Sequence, residues 1–570
     1  MQGGYHGNAL QAAACCSISS FLLGILCNIV LGNLRHVYNM TDDTRQLSSP
    51  HMYSYDMASN SLEPSTRILY LSEAVDGKQI VDRKADIRAK GRLYLDIIKE
   101  FQTAARNDDV ETLQLFLDSG VHVDAQGGEY GSALQAAASN GNIQAMRLLL
   151  DEGANVNAHS TSHGSILHYF GPPDDDHGNA LQVAALNGKV EAIQLLLDKG
   201  ANVNARGGYY GNALQASSFN GNVQAMKLFL DSGVHVDAQG GYYGNALQAA
   251  AFNGEVEAIQ LLLDEGVDVN TRGGQYGNAL QATIANRKVE ATKLLLDEGA
   301  DVNAFSTYCG GPLMAAIINN NVEATKLLLD KGADINTEHD DLGNVLQTAA
   351  CYGNIDIMRL LLDAGADMNA QCQEHGNALQ TAAYYGHVEA MRLLVDKGAD
   401  INGKGRKYGN ALQAALCNDI KVIQFLLDNG ADVNVQGGFH GSALHAAAYY
   451  GSVRAMELLL DKGADFNVQG GYYGNALQAA ASNGTVKAMQ FLLEKGADVN
   501  ADGGYYGNAL QAAAYSGSLE AIQLLLDKGA DANAKGGFYG NALQAAGRNH
   551  HVQAVRMLLD RGADIRQIWS

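Results

Sequence analysis

Residues 507–539 read GNALQAAAYSGSLEAIQLLLDKGADANAKGGFY, and the same phrase begins again at Gly540. The previous copy begins at Gly474, and six similar copies follow one another at a spacing of 33 residues. Their first residues are Gly211, Gly244, Gly277, Gly310, Gly343 and Gly376. A strict period of this length predicts stacked supersecondary units instead of one conventional globular core.

The chemistry of this stretch predicts a helix, a turn, a second helix and a loop. Asn508 with Gln511 three positions later forms a capping box that opens the first helix, and Gly517 is suited to ending it. Leucines at helical spacing predict the second helix, which Gly529 ends. A Gly-rich segment with hairpin-like turn chemistry follows. Two short helices cannot bury their own leucines, so each unit must pack on its neighbours.

At these positions the chain resembles the ankyrin-repeat family. The matching residues are Leu510, Ala513, Gly517, the pair Leu524 and Leu525, Gly529, Ala530, Asp531 and Asn533. Asn-Ala-Leu-Gln replaces the family's Thr-Pro-Leu-His, although Pro312 and His445 each keep one of its residues. The resemblance implies an all-α ankyrin solenoid of about 14 repeats over residues 98–570. The sequence of the repeat also resembles the ankyrin arrays of filamentous fungi, which are often joined to nucleoside-triphosphatase domains.

Departures from the period suggest the domain organisation. Residues 1–97 do not repeat, except for a truncated repeat at 3–14, and beyond the apolar stretch 15–34 we expect them to be mostly flexible. Residues 98–570 form the repeat domain, whose charged first unit is typical of a terminal cap. An insert near 164–177 predicts a surface loop. One residue is missing between Gly409 and Gly441.

The apolar stretch allows several interpretations. Residues 18–34 approach the length of a membrane helix, so they could anchor the array to a bilayer. Cys15 and Cys16 could carry acyl chains. Alternatively, a misjoined coding sequence could interrupt a true repeat. The truncated repeat also suggests a fragment of a larger nucleotide-sensing protein that lacks its enzyme domain.

Composition narrows the class of partner. With 47% apolar and 18% charged residues, the sequence is typical of a folded domain. The net charge of −22 argues against nucleic acid or anionic lipid as the main partner. We attribute this acidity to solvated Asp-Lys-Gly-Ala-Asp loops. The seven cysteines show neither a disulfide framework nor zinc-ligand spacing, which favours a reducing, cytoplasmic setting, with the nucleus as an alternative.

No motif for catalysis is present. The sequence has no phosphate-binding Gly-x-x-x-x-Gly-Lys-Ser/Thr loop, no His-Glu-x-x-His and no Gly-x-Ser-x-Gly. His375, His387, His440 and His445 are spaced by the repeat, so we interpret them as satisfied surface histidines and not as metal ligands. We therefore predict a non-enzyme without cofactor, metal or small-molecule substrate.

Aromatic residues immediately before the opening glycines are the candidate partner-binding site. Stacked units should bring them together as a ladder at the hairpin tips. They are Tyr209, Tyr210, Tyr242, Tyr243, Tyr276, Tyr408, Phe439, Tyr472, Tyr473, Tyr505, Tyr506, Phe538 and Tyr539. Tyrosine is a strong contact residue at interfaces, but rings beside Gly-Gly can equally pack on the next hairpin. The residues that end the first helix vary between units, which indicates either partner specificity or drift.

These observations predict a protein–protein interaction scaffold or adaptor. Partners would bind along the concave face, where a preformed groove lowers the ordering cost of binding.

Overall fold

The repeat period appears in the structure as helix pairs. The computed structural model describes residues 83–127, 130–159, 178–306, 310–339, 343–372, 376–405 and 407–568. The truncated repeat, the apolar stretch and the insert 164–177 lie outside the described residues. Within them, fourteen helix pairs follow one another, each called here by its opening residue, from the Ile98 unit to the Gly540 unit. The all-α prediction with about 14 repeats is confirmed.

The helix bounds repeat almost without change. The first helices are Arg83–Arg106, Ala133–Asn140, Ala180–Leu186, Ala213–Phe219, Ala246–Asn253, Ala279–Ala285, Pro312–Ile318, Val345–Tyr352, Ala378–Tyr385, Ala411–Ala414, Ala443–Tyr450, Ala476–Ser482, Ala509–Ser516 and Ala542–Arg548. The second helices are Val110–Asp118, Ile143–Asp151, Val190–Asp198, Val223–Asp231, Val256–Asp264, Val289–Asp297, Val322–Asp330, Ile355–Asp363, Val388–Asp396, Ile420–Asp428, Val453–Asp461, Val486–Glu494, Leu519–Asp527 and Val552–Asp560. The 3₁₀ helices Ala415–Cys417 and Ile565–Ile568 complete the helical elements of the described segments.

Extended backbone is confined to the hairpin loops. Glu338–His339 and Gly343–Asn344 form a two-residue antiparallel ladder within one such loop. Elsewhere the loop closes with one bridge, as between Gly470 and Gly474. The loops thus contribute hairpins without adding a β-layer to the core.

The capping prediction is confirmed in atomic detail. The Asn508 side chain accepts from Gln511 N at 2.9 Å, and Gln511 Oε1 accepts from Asn508 N at 3.1 Å. Gly517 ends the helix with φ +72°, in the left-handed region that glycine adopts without strain.

The core is continuous from unit to unit. Leu510 and Ala513 on the first helix and Ile522 and Leu525 on the second are all buried, and their counterparts in neighbouring units belong to the same cluster. Each first helix packs on the first helices before and after it. The hydrophobic surface that one pair cannot bury is therefore covered by its neighbours.

The second helices are joined across units by ion pairs. Lys397 Nζ lies 2.9 Å from Asp363 Oδ1, and Arg561 lies 2.9 Å from Asp527. Both pairs are exposed, so each contributes little stability.

The first helices, by contrast, are nearly free of charge. No Asp, Glu, Lys or Arg occurs in them from the Gly178 unit to the Gly507 unit. The acidity of the chain therefore lies away from the first-helix surface.

Candidate partner-binding surface

The tips of successive hairpins are connected through their backbones. Tyr472 N donates to Phe439 O at 2.9 Å, Tyr505 N donates to Tyr472 O at 2.8 Å, and Phe538 N donates to Tyr505 O at 2.8 Å. The same bond joins Tyr242 N to Tyr209 O. Since these peptide groups are already used between units, a partner cannot join the tips as an added strand.

The second glycine of each Gly-Gly pair permits this close approach. Gly504 has φ +62°, and a Cβ there would lie 2.2 Å from the backbone carbonyl carbon and oxygen of Tyr473. No side chain fits at that distance. The glycine pair therefore reflects the close contact between units.

The ladder consists of two rows with different surroundings. We call the residue two positions before the opening glycine the outer ring and the residue directly before it the inner ring. The outer rings are Tyr209, Tyr242, Phe439, Tyr472, Tyr505 and Phe538. The inner rings are Tyr210, Tyr243, Tyr276, Tyr408, Tyr473, Tyr506 and Tyr539, with His440 in the same row.

The outer rings form face-to-face stacks. Ring centroids are 4.8 Å apart for Phe439 and Tyr472, 4.7 Å for Tyr472 and Tyr505, and 4.9 Å for Tyr505 and Phe538. Phe538 is 61% exposed and Phe439 46% exposed. Because the neighbouring rings cover each other's faces, the row presents ring edges to solvent.

The inner rings are largely part of the packing. Tyr243, Tyr473 and Tyr506 are buried. Tyr506 meets the outer ring Tyr505 edge-on at 87° and lies 5.1 Å from Tyr515 at the end of the first helix. These three tyrosines consequently contribute to the stacking of the units.

Hydroxyl groups connect the two rows. The Tyr506 hydroxyl is hydrogen-bonded to that of Tyr472 in the preceding hairpin, and Tyr243 makes the equivalent bond to Tyr209. Burial raises the pKa of Tyr472 to about 12 and that of Tyr506 further above its usual value. Both phenols therefore stay protonated at physiological pH, so they remain hydrogen-bond donors.

The ladder is interrupted between Tyr276 and Tyr408. The residues before Gly310, Gly343 and Gly376 are Tyr-Cys, Asp-Leu and Glu-His, and they lie outside the described residues. The sequence thus gives two blocks of paired rings, one on each side of these three units.

Two further exposed tyrosines lie at first-helix ends. In Tyr384–Tyr385 and Tyr449–Tyr450 the first ring packs inward, with Tyr384 4.7 Å from Tyr408. The second ring is exposed, 42% for Tyr385 and 39% for Tyr450. These positions vary between units in the sequence, but Tyr385 and Tyr450 were not among the predicted contact residues. The Tyr-Tyr pair is the signal that identifies them.

Most other units carry asparagine at the position of Tyr385 and Tyr450. Asn483 Nδ2 donates to Tyr449 O at 2.9 Å, and Asn549 Nδ2 donates to Tyr515 O at 2.8 Å. At Tyr385 the exposed ring keeps a hydrogen bond between units, because its hydroxyl donates to the Cys351 thiol of the preceding unit.

The histidine prediction needs a correction. His440 and His445 are buried and not on the surface, because they occupy inner-ring and helix positions of the stack. His387 Nε2 lies 2.9 Å from Cys351 O, while His375 is outside the described residues. Within the described ranges no three His, Cys, Asp or Glu side chains are grouped to hold a metal ion.

Comparisons with known proteins agree with this architecture. The family model described as "Ankyrin repeats (3 copies)" matches residues 101–207, 181–273, 213–306, 247–339, 306–372, 346–437, 411–503 and 502–568. Among solved structures, the crystal structure of the human ASB11 ankyrin repeat domain is 25% identical, with a TM-score of 0.34 over 38% of this chain and 98% of that one. No curated protein matches the chain. Because the matched segments together run without a gap from residue 101 to residue 568, the chain belongs to the ankyrin-repeat family.

Proposed function

We propose that the array is a non-catalytic scaffold or adaptor that binds protein partners along its outer rings and the helix-end tyrosines Tyr385 and Tyr450. Ankyrin repeats are a typical protein–protein interaction module and generally lack catalysis. The observation that carries the proposal is the exposed stack from Phe439 to Phe538 beside first helices that bear almost no charge. Aromatic anchors of this kind dominate binding energy at protein interfaces.

The geometry indicates what kind of partner segment fits. Ring edges pack against apolar side chains and against the faces of a partner's aromatic rings. Since the stacked rings and bonded tips are already rigid, binding costs little additional ordering of this surface.

The proposal is tested by restoring the usual residue at the two helix-end positions. The double variant Tyr385→Asn with Tyr450→Asn removes both exposed rings and supplies the asparagine that most other units carry at this position. We expect it to fold at least as well as the parent by thermal unfolding. In affinity capture with the tagged full chain, we expect at least a tenfold loss of specific partners.

A second variant tests the outer row. Tyr472→Ser with Tyr505→Ser should also reduce capture, whereas Val552→Ala, at an exposed apolar residue of a second helix, serves as the control. Undiminished capture by both aromatic variants would contradict the proposal, and so would an equal loss with the Val552 control.

The alternatives concern residues outside the described ranges. No described helix has the length and apolar character needed to cross a bilayer. A tether through residues 18–34 and an enzyme portion missing from a larger nucleotide-sensing protein stay alternatives that the described contacts do not test. Fractionation of the tagged full chain separates the tethered form from the cytoplasmic one that we propose.

A further inference from the structure

The Gly441 unit carries histidine at two positions where its neighbours carry tyrosine and glutamine. It reads FHGSALH where the next unit reads YYGNALQ. His440 occupies the inner-ring position, and His445 occupies the third position of the first helix Ala443–Tyr450. Both side chains are buried, with 8% of His440 and 0% of His445 exposed.

His445 replaces an amide that bridges two units. Gln478, at the same place in the next unit, donates through Nε2 to Ala501 O at 2.9 Å and to Gly507 O at 3.1 Å. The His445 ring instead places Nδ1 3.1 Å from His440 O and Nε2 3.0 Å from Val468 O. Both nitrogens face carbonyl oxygens, so a neutral imidazole donates to only one of them and a protonated ring would donate to both.

His440 lies in a pocket of aromatic rings. Its ring stacks on Tyr473 at 5.8 Å and lies 5.1 Å from Tyr449 and 5.5 Å from Tyr450. Its Nδ1 is buried without a hydrogen-bond partner. The titratable groups that face it are these three phenols and His445. None of them is a carboxylate, so a proton on His440 meets no countercharge.

The preceding Gly409 unit has a shortened turn. Its first helix, Ala411–Ala414, tightens into the 3₁₀ turn Ala415–Cys417, and the left-handed glycine found in most other units is absent. The missing residue of the 32-residue spacing therefore lies in this turn between the two helices. The array thus has its shortest first helix next to its two buried histidines.

We propose that the junction between the Gly409 and Gly441 units is an acid-sensitive joint, at which proton uptake by His440 in its aromatic pocket opens the Gly441 unit and leaves the units on either side folded. Opening separates Phe439 from Tyr472 and divides the outer-ring stack. If the proposed function holds, a partner that spans this stack is then released at acidic pH.

The direction of the pH effect follows from linkage. Burial lowers the pKa of His440 from 6.5 to about 4, and it also lowers the pKa of His445. The open form therefore binds more protons, and the stability of the joint is complete above about pH 6.5 and declines as the pH falls toward 4. For His440 alone, the opening equilibrium should rise about tenfold between pH 7.5 and pH 5.5.

Hydrogen exchange of the full chain at these two pH values tests the joint without any partner. After correction for intrinsic exchange rates, we expect amides in the helix Ala443–Tyr450 to lose about ten times more protection than those in Ala476–Ser482. The variant His440→Tyr with His445→Gln supplies the residues of the other units and should make the two helices respond alike. His235→Gln, at an exposed histidine, is the control and should preserve the difference.

Equal loss of protection in both helices of the parent would overturn the joint, and so would a difference that persists in the double variant. Because partner capture is not measured, failure here is distinguishable from failure of the proposed scaffold function.

Discussion

The amide of Gln511 contacts its own helix and the next unit at once. Oε1 accepts from Asn508 N, while Nε2 donates to Ala534 O at 3.0 Å and to Gly540 O at 3.2 Å. This residue stands where the family usually has histidine, and His445 contacts Val468 O, the counterpart of Ala534 O, but not the second carbonyl. A glutamine keeps both bonds at any physiological pH, which explains why it suits nearly every unit.

Gly504 provides a test of packing between units at the level of one residue. We expect Gly504→Ala to cost about 2–4 kcal/mol, because a Cβ would overlap the Tyr473 backbone and φ is positive. Gly496→Ala is the matched control, since φ is +94° there but nothing lies within 4 Å of the added carbon. It should cost only about 1–2 kcal/mol. Local unfolding free energies from native-state hydrogen exchange measure both, and equal costs would contradict the contact.

The turn between paired helices uses a left-handed residue. Glycine fills it in most units, but Asp108, Arg287, Asn320 and His550 adopt φ between +49° and +60° at the same place. A side chain in this region costs about 1–2 kcal/mol, least for asparagine and aspartate. The helix pair tolerates this strain because its other contacts determine the turn.

His550→Gly should relieve the strain in the last unit. His550 is exposed, and we expect a gain of about 1 kcal/mol in the stability of the helices Ala542–Arg548 and Val552–Asp560. His550→Ala removes the imidazole but keeps a Cβ at positive φ, so it should bring no gain. Protection of these helices against hydrogen exchange reports the result. A gain of the same size in both variants would refute strain as the cause.

The sequence predicted the helix pair well because the rules for caps and turns are local and appear in every copy. The sequence did not distinguish the burial of Tyr505 from that of Tyr506, because nothing in a pair of adjacent tyrosines indicates which ring packs inward. Only the hairpin geometry leaves Tyr505 half-buried and buries Tyr506 against Tyr515. For the same reason His440 was expected on the surface. How deeply a side chain is buried depends on the neighbouring units, so the sequence of one unit does not determine it.

Across the described array, each unit contacts only its neighbours, so damage should remain local. Leu361 is fully buried, and we expect Leu361→Ala to cost about 2–5 kcal/mol. Protection should fall in the Gly343 unit and its two neighbours and remain at parent values in the Gly507 unit. Arg359→Ala, on the same helix, is the surface control. One cooperative loss of protection in every unit would contradict nearest-neighbour stability.

The hydrogen bonds that Gln511 makes to the next unit recur along the array, and this recurrence affects how the number of repeats can change. Most units offer their successor the same glutamine amide and receive the same carbonyls from it, with Met314 and His445 as exceptions, so the internal faces of those units match one another. Recombination that excises or duplicates 33 codons in register therefore rejoins surfaces that already match. Copy number can drift by whole units while the fold survives, and the extent of the aromatic edge changes with it.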